Sequence, residues 1–133
     1  MTIEGRILLF DTVSLNNDIF PNTCIIDIPE KVPLTWNFDH EKVIGIAEVS
    51  RDELGLTARA ELFSNERIGI DDIGSVFENG RIGSGGFYNK VKMHSDGSFK
   101  VIDETTLREV ALVLEPVRNE YYFEIVSEGE KNE

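Results

Sequence analysis

Two alternating segments, "KVIGIAEVS" at 42–50 and "LTARAELF" at 56–63, stand on either side of "RDELG". Apolar and polar residues trade places along both, which is the period of a half-buried strand, and the residues between them suit a chain reversal. A chain that carries such a hairpin is committed to sheet, and its neighbours follow suit. "EGRILLFD" (4–11), "NTCIIDI" (22–28), "GFYNKVKMH" (86–94), "SFKVID" (98–103), "REVALVLEP" (108–116) and "EYYFEIVS" (120–127) are strand-like. Turn chemistry such as "SLNND" (14–18) and "SDG" (95–97) divides them. In "KVPLTWNFD" (31–39), Val32, Leu34, Trp36 and Phe38 share one face of an extended chain, and Pro33 suits an edge position or a strand start.

One segment changes period. In "SNERIGIDDIGSVFENG" (64–80), Ile70, Ile73, Val76 and Phe77 fall at helical spacing. Asp71 or Asp72 can cap the start of a helix there, and Gly80 can end it. The expectation is one mainly β (α+β) domain over residues 1–126, a barrel or sandwich with one or two short helices. An acidic tail, "SEGEKNE" at 127–133, follows it.

The 133 residues are 41% apolar, enough for a core without disulfide staples. Lys and Arg total 13 against 25 Asp and Glu, so the formal charge is 13 − 25 = −12. So acidic a body repels phosphate backbones, which argues against nucleic acid and favours solubility or a basic protein partner. No apolar run approaches the ~20 residues of a membrane span. The opening "MTIEGRILLFD" lacks the basic and long apolar regions of a secretion signal, so a cytosolic origin is expected. Cys24, alone in "TCIIDI", reads as a small buried hydrophobe.

Candidate chemistry is sparse. His40 and His94 are the only imidazoles, and neither sits in a metal-binding pattern, so no metal is expected. "GRIGSGGF" (80–87) is glycine-rich, but it follows the predicted helix instead of preceding one, and it lacks a phosphate-binding Lys. No nucleotide or other cofactor is expected; the glycines read as a tight turn with close backbone approach. Ser84 lies within that stretch, and serine catalysis would need a base and an orienting acid near it.

The order of the blocks resembles the prohead (capsid maturation) serine protease family of tailed phages. "IEGRILLFDTVSLNNDIFPNTCI" is similar to that family's first strand. "VPLTWNFDHEKVIGIAEVSRDELGLTARAEL" is similar to its central Asn-His-Asp block, "NGRIGSGGF" to its Ser-Ile-Gly-Phe block, and "LREVALVLEP" to its late strand. Together these cover residues 2–118. The resemblance implies a compact antiparallel β-barrel. It puts the nucleophile on Ser84 and the acid on Glu109. The base falls on Phe38, between Asn37 and Asp39, and a benzyl group cannot accept a proton. His40 lies two residues on, about 7 Å away along an extended chain, so a local bulge would be needed to bring it to the base position. Ala111 stands where the family keeps a Ser, and the part of the chain after the last strand is short.

These departures lead to an expectation of a non-catalytic head protein, auxiliary or decorating, bound to the phage major capsid protein or other head proteins. Such a protein is made in the host cytoplasm and resides in the procapsid or virion; the composition leaves a homo-oligomer open. The edge at Pro33 and the loop 80–87 are the expected contact surfaces. The alternative is an active maturation protease with Ser84 as nucleophile, His40 as base and Glu109 orienting it. It would cleave scaffold and the major capsid protein.

Overall fold

The computed structural model describes residues 1–14, 16–63 and 73–127. Nine strands run in chain order: β1 Thr2–Leu9, β2 Asp18–Ile19, β3 Ile25–Asp27, β4 Val32–Trp36, β5 Asp39–Arg51, β6 Gly55–Leu62, β7 Arg81–Asp96, β8 Phe99–Val113 and β9 Tyr122–Ser127. Seven of them close on themselves in the order β8-β4-β5-β6-β1-β9-β7, with β7 pairing back onto β8. The fold is therefore mainly β, a closed barrel. Closure pairs most of the sheet's edges, which is one way a chain of strands limits unpaired backbone.

Strand β8 organises the barrel. The long β7 runs antiparallel along one side of it, from Gly83 opposite Val113 to Asp96 opposite Phe99. On the other side β2, β3 and β4 lie parallel to it in succession, at Lys100–Val101, Glu104–Thr106 and Val110–Leu112. The predicted strands at 98–103 and 108–116 are thus one strand, kinked where the ladder shifts register. Alternate residues fill the interior: Ile3, Leu34, Leu56, Val110, Leu112 and Phe123 are at most 1% exposed. The predicted hairpin over 42–63 is present as β5 and β6, joined through residues 52–54.

Three expectations are corrected. Of the helix predicted over 64–80, residues 64–72 lie outside the described residues, and the remainder forms only one 3-10 turn, Ile73–Val76. The chain then reverses at Asn79–Gly80, where Glu78 and Arg81 exchange backbone hydrogen bonds of 2.8 and 3.0 Å. Both central residues have positive φ, 56° and 78°, as a type I′ hairpin turn requires, so Gly80 serves a strand-to-strand turn. Second, the glycine-rich stretch after it is strand β7 from Arg81 onward and not a loop. Third, Pro33 takes the strand start, one of its two expected places, and not an exposed edge: it is the second residue of β4, which pairs with β5 on one side and, from Leu34 on, with β8 on the other. Residues 128–133 of the acidic tail lie outside the described residues. Among the described residues no helix is long and apolar enough to cross a membrane.

Candidate functional site

The turn between β4 and β5 sets the site. Trp36 pairs with Asp39, so the chain reverses on Asn37 and Phe38 alone, both with positive φ (53° and 64°). This is again the I′ pattern, but with Phe where glycine is usual. Phe38 therefore does not extend the apolar face of Leu34 and Trp36. Its ring leaves the strand and packs on Gly85, where a Cβ would lie 2.8 Å from Cζ. The ring is exposed at its rim and is not part of the core.

Register then jumps. Thr35 pairs with Val43 while Trp36 pairs with Asp39, leaving His40, Glu41 and Lys42 bulged from the ladder. The bulge turns the His40 ring toward β8. Its Nδ1 is 2.6 Å from Glu109 Oε1, and Thr35 Oγ1 donates to Glu109 Oε2 at 2.8 Å. The Glu109 side chain is 7% exposed, that of His40 61%. The imidazole also leans on Phe87, with ring centres 5.2 Å apart. A buried carboxylate thus holds an exposed imidazole by one nitrogen, which orients the ring and leaves the other nitrogen toward solvent.

Ser84 is elsewhere. In an antiparallel pair, residues directly opposite share a side of the sheet. Ser84 is opposite Leu112, which faces the core, whereas Gly85 is opposite Ala111 and Phe87 is opposite Glu109. Glu109, His40, Phe87 and Gly85 therefore occupy the face away from the core, and Ser84 the inner face. Ser84 is 1% exposed, and its hydroxyl donates to the Arg6 carbonyl oxygen at 2.5 Å. So His40 and Glu109 come together, while Ser84 is separated from both by the sheet itself. The residue that meets Phe38 across the face is Gly85. Phe38 thus places a benzyl group over a residue that has no side chain.

The other reactive groups lie apart. His94 Nδ1 is 2.6 Å from Asp103 Oδ2 on the exposed arm of the β7–β8 hairpin. It is roughly 23 Å along the strand from Phe87 at about 3.3 Å per residue. Cys24 is buried, and burial pushes its thiol up to about 11, the direction that suppresses thiolate chemistry. Among the described residues no three His, Cys, Asp or Glu side chains gather as a metal site.

The Thr35 hydroxyl beneath Glu109 was not singled out from the sequence. A Thr between apolar Leu34 and Trp36 is the only signal, and it is a weak one. No family model matches the chain, and neither a curated protein nor a solved structure matches it. The likeness to prohead proteases rests on the quoted residues alone.

Proposed function

We propose that the chain is a non-catalytic β-barrel protein of the tailed-phage head, an auxiliary or decoration protein that binds the major capsid protein or another head protein. Two things support this reading. The order of sequence blocks resembles the prohead proteases, and the Ser84 hydroxyl does not lie beside the imidazole that Glu109 orients. The observation that carries the non-catalytic half is the side of β7 on which Ser84 lies: its hydroxyl is buried against the Arg6 carbonyl, while Phe38 covers Gly85 on the side of His40. Turning Ser84 to the other side would require a one-residue slip of β7, which would also turn Ile82 out of the core.

A second reading is an active prohead maturation endopeptidase. It is favoured by the His40–Glu109–Thr35 arrangement, since an acid that orients an imidazole is two-thirds of a serine triad. Co-expression with the neighbouring head proteins, with and without Ser84→Ala and His40→Ala, separates the two. The non-catalytic reading expects the same intact bands in all three and many copies of the protein in purified particles. Fragments that vanish in both variants would establish the protease instead.

A further inference from the structure

The barrel wall is closed over only half its height at one seam. Strand β9 pairs with β1 over Thr2–Gly5 and with β7 over Arg81–Gly83, and its ladders stop there. Beyond that point β1 and β7 have no strand between them. A cleft of about 410 Å³ fills the gap, within the size range of pockets that take ligands, about 300–1,000 Å³. Exposed apolar side chains rim it: Phe38 (36%), Phe87 (42%) and Val117 (51%).

Backbone polarity along the seam follows from one hydrogen bond. Ser84 N–H donates to the Tyr121 carbonyl at 3.0 Å, away from β8. Backbone groups alternate direction along an antiparallel strand, so Gly85 turns its N–H and C=O to β8 and Gly86 turns both toward the cleft. Beside Gly86 lies the Tyr88 hydroxyl, buried and without a hydrogen-bond partner. A strand edge, an unsatisfied donor and an apolar rim therefore converge at one place.

We propose that this seam is a docking groove for one extended segment of a partner protein, apolar with at least one basic residue, which adds as a strand to the edge of β7 at Gly86. Strand addition draws affinity from backbone hydrogen bonds and specificity from alternate side chains in pockets. The basic residue follows from charge. Lys90 is matched by Asp18 at 2.7 Å and Arg118 Nη2 by Glu120 at 3.2 Å, with Arg118 Nε buried and without a partner, while no salt bridge among the described residues engages Glu115 at the rim. The whole chain carries −12, which attracts a basic segment. The inference is drawn from the seam alone and is independent of both halves of the proposed function.

A random library of short linear peptides, selected on the immobilised full chain, tests it, followed by synthesis of the enriched peptides. Apolar sequences with Lys or Arg are expected. Val117→Asp, in an exposed part of the rim, should weaken them about ten-fold or more, the size of a hot-spot loss. Glu115→Gln should weaken them less and flatten their salt dependence. Ile25→Asp, exposed on β3 and outside the cleft, should leave binding unchanged. Bound peptide should also slow amide exchange at Gly86. The proposal is overturned by no enrichment over blank matrix, by affinity insensitive to Val117→Asp, or by unprotected Gly86. Self-association abolished by Val117→Asp would assign the groove to a second copy of the chain and overturn the foreign partner. Cleavage of a bound peptide would sink the non-catalytic reading and leave the groove standing.

Discussion

Two histidines each touch a carboxylate through Nδ1 at the same distance, 2.6 Å: His40 with Glu109 and His94 with Asp103. Both imidazoles are similarly exposed, 61% and 58%. The acids differ. Glu109 is 7% exposed and accepts a second hydrogen bond from Thr35, whereas Asp103 is 43% exposed on a hairpin arm. Contact distance therefore says little about what a pair is worth. An exposed pair exchanges water for a partner at almost no net gain. A buried carboxylate has few alternatives to the partners it holds, so losing one leaves an unsatisfied charge.

The sharpest way to break this comparison is to remove the acids. Glu109→Ala should cost about 2–3 kcal/mol, because the Thr35 hydroxyl is left buried without its acceptor. Asp103→Ala should stay within about 0.5 kcal/mol. Urea denaturation of both variants measures the difference, and equal losses would end the distinction. Removing the imidazoles comes next. His40→Ala should cost about 1–2 kcal/mol by leaving Glu109 with Thr35 alone, and His94→Ala about 0.5 kcal/mol at most.

Double-mutant cycles refine the contrast: a coupling of about 1 kcal/mol is expected for His40–Glu109 and about 0.3 kcal/mol for His94–Asp103. Repeating both cycles in about 1 M NaCl, where the screening length is about 3 Å, should erase the second coupling and keep most of the first. The smallest effect is expected from supplying a further imidazole. Phe38→His restores the residue type of the resembling enzymes, yet peptidase activity should stay at background, because Ser84 Oγ is on the core side of β7.

The two tight turns indicate what could be read along the chain. Asn79–Gly80 carries the dipeptide that favours positive φ twice over, yet the apolar spacing before it makes Gly80 read as the end of a helix. Asn37–Phe38 adopts the same conformation without the glycine. Nothing local distinguishes it from a continuing strand, so Phe38 reads as core when it is a turn residue. A bulge that re-aims His40 is suggested only by the family resemblance; its partner Glu109 lies on β8, which pairs beside β4 and is distant in sequence from residues 36–45.

Alternation, turn residues and charge are local properties, and they sufficed for a β-rich acidic chain and for most strand positions. Even the three residues of interest, His40, Ser84 and Glu109, stand out as residue types. Which of them meet was decided by closure of the barrel. Pairing β7 to β8 in one register sends Ser84 to the core side and Glu109 to the other, and a shift of a single residue would have reversed Ser84. That register depends on packing between strands distant in sequence, which no short stretch of the chain contains.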